Sequence, residues 1–390
     1  MLNRLPALCA LFAALFAMAP MAAQADRFYA APAAEIAGQP GSIIRAETFA
    51  APPGASAAYR IVYRSTDAGG RPIAVSGVVI VPSAPAPPGG RRIVSWGHAT
   101  SGIAPNCARS MYGSLYSNMY GLQDMLARGY VVAATDYPGL GVSGVHAYLI
   151  GASQGHAMLD AARAARALPE AQAGDVFIPA GYSQGAHAAL FAGNLAASYA
   201  PELTLAGIAA AAPPTDLAEL MREGGGDPIG RVFATFALMS WSKLYGLPLD
   251  GVLAPAVGKV AANIASECNL EAGSAFKIMF AEQAFEREGF LKKDLTHLPR
   301  WKALMAKNSP APTPQGVPVF IAQGTNDHLV RPAVTQVYAA KLCSRGTRLT
   351  FVPVRGGHEN VGRLSAAPMV EWMSDRFAGR RAPDDCGSVS

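Results

Sequence analysis

The chain has 390 residues, of which 51% are hydrophobic and 15% charged, and its formal net charge at pH 7 is +5. This composition is typical of a well-packed globular protein and excludes an intrinsically disordered one. The basic residues are scattered without a long run, so the sequence predicts no nucleic-acid-binding site.

The first 25 residues have the pattern of a secretory signal peptide. Arg4 precedes a short apolar run, and the Ala-Gln-Ala tripeptide at 23–25 fits the small-residue cleavage rule, which predicts cleavage before Asp26. An uncleaved membrane anchor is the alternative, although Pro20 breaks the run and the run is short for a span. No later segment is apolar enough to span a bilayer. We therefore expect a secreted protein, either extracellular or periplasmic.

The cysteine count agrees with export. Cys9 leaves with the signal peptide, whereas Cys107, Cys268, Cys343 and Cys386 remain. An even number in an oxidising compartment predicts two disulfides, with three pairings open, and buried free thiols are the alternative. No C-x-x-C pair is present, so we expect no zinc cluster.

The chain after the signal peptide begins with an Ala-, Gly- and Pro-rich stretch, residues 26–59, that we interpret as an irregular arm. Residues 60–64 and 72–82 then have the alternation and β-branched content of strands, and a turn at 67–70 separates them. This pattern predicts an antiparallel hairpin.

Short apolar runs of the kind buried in parallel sheets follow. They lie at 93–96, 130–134, 176–180, 205–209, 317–321 and 349–353. Helical stretches at 119–128, 156–168 and 186–200 lie between them. Alternating strands and helices predict an α/β fold, with a mostly parallel central sheet and helices on both faces.

One interval, residues 222–315, lacks convincing strands. It holds helical stretches at 231–245, 253–267, 274–286 and 301–307 and ends in a proline-rich linker at 308–314. We predict a helical cap or lid at 222–315, inserted in a catalytic domain formed by residues 26–221 and 316–390. Extra packing helices with no gating role are the alternative.

Two pentapeptides, centred on Ser153 and Ser183, match the G-x-S-x-G pattern of a nucleophile elbow. An elbow needs a buried strand, a sharp turn and then a helix. Ser183 follows an apolar run and precedes an Ala-rich helical stretch, whereas Ser153 follows a glycine-rich loop. We therefore predict Ser183 as the nucleophile and interpret Ser153 as a helix N-cap.

A serine nucleophile needs a histidine base and an orienting acid, which follow it in the order acid, then histidine. His297, His328 and His358 all follow Ser183. His358 lies in a Gly-Gly loop after the last predicted strand, and Asp327 lies in a turn after the strand before it. These positions predict the triad Ser183, Asp327 and His358. A surface-loop histidine and a turn-stabilising aspartate are the alternatives.

The tetrahedral intermediate of such a reaction needs two oxyanion donors. We predict the backbone N–H of Gln184 as one. The second is expected in the loop after an earlier strand, at Thr100, with Ala99 or Ser101 as alternatives. His98 precedes the serine in the chain, so we interpret it as a residue that shapes this loop.

Four stretches together resemble the α/β-hydrolase superfamily and, more narrowly, the secretory lipase family of the lipase A type. They are WGHATSGIAPNCARS at 96–110, DYPGLGVSGVHAY at 136–148, GYSQGAHAAL at 181–190, and the pair GTNDHLVRP at 324–332 and GGHENVG at 356–362. The chain departs from the family at two points, since Ala99 replaces the usual Gly of the oxyanion loop and Arg109 stands where Pro is common.

The resemblance implies hydrolysis of small-molecule or lipid esters through an acyl-enzyme, under a helical lid and without a metal or organic cofactor. An oil–water interface is one expected setting. The resemblance also implies the disulfides Cys107–Cys268 and Cys343–Cys386.

Two other functions share parts of this pattern. A secreted exopeptidase or amidase would use the same triad, and it would need cap carboxylates such as Glu282, Glu286 or Glu288 to bind a substrate amine. A non-enzymatic binding protein would lack a triad member, but all three residues are present.

Overall fold

The computed structural model describes residues 27–224, 226–268, 283, 285–287 and 289–389. The predicted signal peptide lies outside these residues, as does most of the predicted helix at 274–286. Within the described part of the chain, no helix is both long and apolar enough to traverse a lipid bilayer.

One mixed sheet of ten strands runs through the described residues. The strands are β1 (Ile43–Phe49), β2 (Ala55–Thr66), β3 (Pro72–Pro82), β4 (Arg91–Gly97), β5 (Val131–Thr135), β6 (Ala173–Tyr182), β7 (Thr204–Leu205), β8 (Ile208–Ala211), β9 (Val319–Gly324) and β10 (Leu349–Val354). Their order across the sheet is β1-β2-β3-β5-β4-β6-β8-β9-β10, and the short β7 pairs with β6.

The sheet changes from antiparallel to parallel along this order. β1, β2, β3 and β5 pair antiparallel, which confirms the predicted hairpin. In the rest of the sheet, β5-β4-β6-β8-β9-β10, neighbouring strands pair parallel. Every residue of β5 is buried, as expected for a strand covered on both faces.

Two strand predictions need correction. The stretch 26–59 is not an irregular arm throughout, because it contains β1 and the start of β2. β1 is an edge strand with half-buried and exposed residues, so it has no continuous apolar run to reveal it. The single strand predicted at 205–209 is two short strands, β7 and β8, separated by two residues.

Within the described residues there are eleven α-helices of at least four residues. They are α1 (Ala33–Ile36), α2 (Leu122–Ala127), α3 (Gly151–Ala167), α4 (Gln184–Tyr199), α5 (Leu217–Gly224), α6 (Pro228–Tyr245), α7 (Pro255–Ala265), α8 (Pro299–Asn308), α9 (Pro332–Ser344), α10 (His358–Leu364) and α11 (Ala366–Phe377).

The strands send alternate side chains into two cores. On β4, Ile93 belongs to the core cluster that includes residues of α3, α4 and α9, and Val94 belongs to the cluster that includes residues of α2 and α11. Both faces of the sheet are therefore covered by helices, as the alternating pattern predicts.

The helices between β8 and β9 form a hydrophobic cluster of their own. α5, α6, α7 and α8 contribute most of it, and residues 147–150 of the sheet domain join it. Trp241 of α6 and Trp301 of α8 stack at its centre with ring centroids 6.3 Å apart. α5 begins before residue 222, so the first helix of this cluster crosses the predicted domain boundary.

Two disulfides fasten distant segments. Cys107, after β4, is bonded to Cys268, after α7, with their Cα atoms 5.2 Å apart. Cys343 at the end of α9 is bonded to Cys386 near the C-terminus, with a Cα separation of 5.5 Å. This is the pairing that the family resemblance implies. The first bond ties the loop after β4 to the helical cluster.

A buried histidine on α4 predicts a loss of stability in acid. His187 is fully buried and donates from Nε2 to the carbonyl oxygen of Asn308 at 2.7 Å, and burial lowers its pKa from 6.5 to about 4. Between these two values the unfolded chain binds a proton that the folded chain does not. The free energy of unfolding should therefore fall by about 1.4 kcal/mol per pH unit from this one group as pH drops from 6.5 toward 4.

Denaturant unfolding of a His187→Gln variant between pH 7 and pH 4.5 measures this contribution. The variant should show a slope shallower than that of the parent protein by about that amount. His297→Gln is the control, because the His297 side chain is 83% exposed. An unchanged slope in His187→Gln would show that another group carries the acid sensitivity.

Candidate active site

The site is built around a strained turn between β6 and α4. β6 ends at Tyr182 and α4 begins at Gln184, and Ser183 between them has φ 56° and ψ −118°. A positive φ is costly for a residue with a side chain, so the neighbours must hold it in place. The backbone N–H of Ser183 donates to the carbonyl oxygen of Ala211 on β8 at 2.8 Å.

Glycine on either side of Ser183 permits this turn. A Cβ on Gly185 would lie 1.8 Å from the carbonyl oxygen of Gly97, and one on Gly181 would lie 2.4 Å from the carbonyl carbon of Gly185. Both contacts are with backbone atoms, which cannot move aside without shifting β4 or α4. The two glycines of the pentapeptide are therefore required by packing.

Gly185→Ala should destabilise the fold by about 3 kcal/mol or more, because the added methyl group overpacks a backbone contact. Gly258→Ala on α7 is a matched control, since a Cβ there would meet nothing within 4 Å. Alanine at that helical position should be neutral or stabilise by up to about 1 kcal/mol. Thermal and denaturant unfolding of both variants measures the difference, and equal stabilities would contradict this account of the elbow.

The three residues predicted as a triad lie together. His358 Nδ1 is 2.7 Å from Asp327 Oδ2, and His358 Nε2 is 2.9 Å from Ser183 Oγ. The carboxylate can only accept, so Nδ1 carries the proton and Nε2 accepts from the serine hydroxyl. The Asp327 side chain is fully buried, whereas that of His358 is 15% exposed.

Asp327 is held by donors from its own loop. Oδ1 accepts from the backbone N–H groups of Leu329 and Val330 at 3.0 and 2.8 Å. The buried amide of Gln323 lies 3.3 Å from Oδ2 and also donates to the carbonyl oxygen of Val330 at 2.8 Å. A glutamine at a strand end has no distinctive motif, so Gln323 could not be identified from the sequence.

The backbone of His358 is also fixed. Tyr182 OH donates to the His358 carbonyl oxygen at 2.7 Å, and the two rings lie 5.2 Å apart. The residue before the nucleophile therefore orients the base.

The rival residues lie elsewhere. His328 is exposed, and His297 is exposed and pairs with Asp294 at 3.4 Å. Glu286 is exposed, whereas Glu282 and Glu288 lie outside the described residues.

The interpretation of Ser153 as an N-cap is wrong. α3 begins two residues earlier, at Gly151, and Ile150 precedes it without a side-chain cap. Ser153 Oγ instead accepts from the backbone N–H of Ala68 at 2.8 Å, which pins the turn between β2 and β3. A cavity of about 430 Å³ borders this serine. His156, one turn along α3, hydrogen-bonds to Thr66 and supplies no base to Ser153.

Of the predicted oxyanion residues, Gln184 directly follows Ser183, and Thr100 lies in the loop after β4, whose last residue, Gly97, closely approaches Gly185. Gln184 is the first residue of α4, where the helix dipole favours negative charge. Thr100 and Ser101 are buried and Ala99 is half-buried. His98 is also buried, which lowers its pKa to about 3, and Tyr137 OH donates to its carbonyl oxygen at 2.8 Å.

Arg109, one of the two departures from the family pattern, is 4% exposed. Burial lowers the pKa of its guanidinium to about 10. The nearby charge of Asp136 acts in the opposite direction. After burial, the positive charge of Arg109 also lowers the pKa of His98, in the loop after β4.

Comparisons with known proteins agree with this architecture. A model of the secretory lipase family matches residues 114–385. Lipase A of Arthroderma benhamiae is 26% identical over 94% of this chain and 82% of its own length. A probable inactive lipase of Mycobacterium tuberculosis is 25% identical over 94% of this chain and 84% of its own length. The solved structure of Candida antarctica lipase A is similar with a TM-score of 0.77 at 20% identity, covering 92% of this chain and 87% of that one.

Proposed function

The chain belongs to the secretory lipase family and has the α/β-hydrolase fold, and we propose that it is a secreted hydrolase that cleaves carboxylic esters through an acyl-enzyme on Ser183. Lipid-like esters are the substrate class. The observation that carries this proposal is the hydrogen-bonded line from Asp327 through His358 to Ser183 Oγ, with distances of 2.7 and 2.9 Å.

In the acylation step, Ser183 Oγ attacks the ester carbonyl carbon while His358 Nε2 takes its proton. The carbonyl oxygen becomes an oxyanion, which the backbone N–H groups of Gln184 and Thr100 stabilise. Asp327 holds the imidazole in the required tautomer and stabilises its positive charge. When the tetrahedral intermediate collapses, the bond to the leaving alcohol breaks and His358 gives its proton to the alkoxide.

In the deacylation step, water takes the place of the alcohol. His358 removes a proton from water as its oxygen attacks the acyl carbon, and a second oxyanion forms in the same place. Its collapse breaks the bond to Ser183 Oγ, which recovers the proton from His358. The products are one carboxylic acid and one alcohol, and the triad returns to its starting state.

We assign residues 222–315 to a cap that covers an acyl-binding pocket. The support for this assignment is the separate hydrophobic cluster of α5 to α8 and its contacts with residues 147–150. Two of the four aromatic side chains of α6 lie inside the cluster, since Phe236 and Trp241 are each 1% exposed, and Phe233 and Tyr245 pack against it partly buried. The disulfides fit an extracellular or periplasmic setting.

A parallel rate panel tests the function. The mature protein is assayed with p-nitrophenyl esters from two to eighteen carbons, with and without an emulsion, and with aminoacyl p-nitroanilides. An ester hydrolase should cleave the esters with a chain-length optimum and leave the anilides nearly untouched. Faster turnover of the anilides than of any ester would replace this proposal with an exopeptidase or amidase.

A further inference from the structure

One short segment, His146 to Tyr148, contacts both residues that are predicted to bind the oxyanion. It lies in the loop between β5 and α3, and it is enclosed by the sheet domain on one side and α6 on the other. Its two aromatic side chains are almost fully buried, with 1% exposure for His146 and 3% for Tyr148. Water is therefore excluded from the contacts that they make.

His146 holds the side chain of Gln184. Its Nδ1 lies 2.9 Å from the carbonyl oxygen of Pro138, and its Nε2 lies 3.2 Å from Gln184 Nε2. Burial lowers the pKa of His146 to about 4, so the ring is neutral near pH 7. Because the carbonyl needs a donor, Nδ1 carries the proton and Nε2 accepts from the Gln184 amide. The residue that follows the nucleophile is thus anchored by its side chain.

Tyr148 holds the other predicted donor residue. Its hydroxyl lies 3.0 Å from Thr100 Oγ1, and Thr100 is 8% exposed. Within the described chain, this hydrogen bond links the Thr100 side chain to the segment that precedes α3. The ring of Tyr148 packs edge-on against Phe236 of α6, with centroids 5.9 Å apart.

The segment itself is fastened to α6 at three points. Ser240 Oγ donates to the carbonyl oxygen of His146 at 2.6 Å and accepts from the backbone N–H of Tyr148 at 3.1 Å. Trp241 Nε1 donates to the carbonyl oxygen of Tyr148 at 2.9 Å. Both α6 side chains are 1% exposed.

We propose that His146 and Tyr148 are positioning residues for the oxyanion hole, and that Ser240 and Trp241 fix them from the cap helix α6. This inference rests on the proposed function, because it assigns Gln184 and Thr100 to the transition state. Neither His146 nor Tyr148 touches the reacting atoms. They act through the side chains of the two donor residues, so that both backbone N–H groups face the same point.

This role predicts a transition-state effect and leaves ground-state binding unchanged. Oxyanion donors act only when charge develops on the carbonyl oxygen, and they work because they are already in place. Loosening one donor residue should therefore lower kcat while KM stays nearly constant. The loss should be smaller than the 100-fold or greater loss that is typical when a donor is removed outright, and about tenfold is expected.

Tyr148→Phe tests this with a single-atom change that keeps the packed ring. Tyr338→Phe is its matched control, because Tyr338 is also 3% exposed and its hydroxyl makes one hydrogen bond, to the carbonyl oxygen of Ala311 at 3.0 Å. The measurements are kcat and KM for one p-nitrophenyl ester, the inhibition constant of a trifluoromethyl ketone that forms a tetrahedral adduct, and Tm.

Tyr148→Phe should lower kcat about tenfold and raise the inhibition constant of the ketone by the same factor. Its KM should stay within about twofold of the parent value. Tyr338→Phe should keep kcat and the inhibition constant of the ketone within about twofold of the parent values. This should hold even if its Tm falls by as much as that of Tyr148→Phe. Tyr148→Phe with the parent kcat, or with a loss confined to KM, would overturn the inference.

A second pair of variants addresses His146 and guards against a folding defect. Gln at 146 can still offer an oxygen to the Gln184 amide, whereas Leu cannot. His146→Leu should lose about tenfold in kcat, and His146→Gln should recover most of that loss at similar Tm. Equal kcat values in the two variants would show that the contact with Gln184 does not position the donor.

The parent protein and Ser183→Ala are assayed beside these variants. Ester hydrolysis that depends on Ser183, with Tyr148→Phe behaving as the parent, would overturn the positioning role alone. Hydrolysis that persists in Ser183→Ala would overturn both the proposed function and this inference.

Discussion

Ser183→Ala is expected to lower kcat for ester hydrolysis by about 10⁵-fold or more. Alanine removes the only atom that could form the acyl-enzyme at this position, and the triad then has no nucleophile to activate. The residue is only 8% exposed, but the change removes a single oxygen atom, so Tm should change by only a few degrees. A chromogenic ester assay with active-site-independent protein quantification measures the loss.

Ser153→Ala is the matched control, because it changes the serine of the other G-x-S-x-G pentapeptide. Its hydroxyl accepts from Ala68 N–H, so the variant should lose about 1 kcal/mol of stability and keep the parent kcat. The reverse pattern, with an active Ser183→Ala and an inactive Ser153→Ala, would exchange the roles of the two serines.

Asp327→Asn is expected to lower kcat by about 10⁴-fold, the loss typical when the acid of such a triad becomes an amide. Oδ1 accepts two backbone N–H groups, from Leu329 and Val330. The asparagine oxygen must take this place, which turns its NH₂ group toward His358. The imidazole then accepts at Nδ1 and carries its proton on Nε2, where it cannot receive the proton of Ser183.

Asp294→Asn provides a control for this substitution, because Asp294 also pairs with a histidine. Its partner is His297, at 3.4 Å, and neither residue belongs to the triad. It should keep the parent kcat within about twofold. A comparable kcat in Asp327→Asn and Asp294→Asn would show that the contact between Asp327 and His358 does not set the tautomer. The assay measures kcat and kcat/KM of both variants from pH 5 to 9.

Much of the fold could be predicted because its buried strands have a simple pattern. β4, β5 and β9 are short apolar runs whose residues are almost all buried, as is the second half of β6, so these strands show no alternation. β1 escaped detection because it lies at the sheet edge and buries little. α3 begins earlier than its apolar spacing suggests. Gly151 and Ser153 in its first turn are small and lie close to their neighbours, so this turn packs without the large apolar side chains that reveal a helix in a sequence.

The candidate triad could be predicted because order along the chain restricts it. Ser183, Asp327 and His358 each follow a recognisable strand, and parallel strands end at one edge of the sheet. The residues that support them leave no such mark. Gln323 is recognised only when its amide is found beside Asp327, and Tyr148 only when Thr100 and Trp241 are found around it, 48 residues before it and 93 after it in the chain.

Covalent trapping identifies the nucleophilic serine without relying on a variant's activity. The mature protein is incubated with a fluorophosphonate, digested, and mapped by mass spectrometry, with Asp327→Asn treated in parallel. One adduct is expected, on Ser183 in the peptide that contains GYSQG, and it should form far more slowly in Asp327→Asn. An adduct on Ser153, or on no serine while the protein still hydrolyses esters, would contradict this expectation.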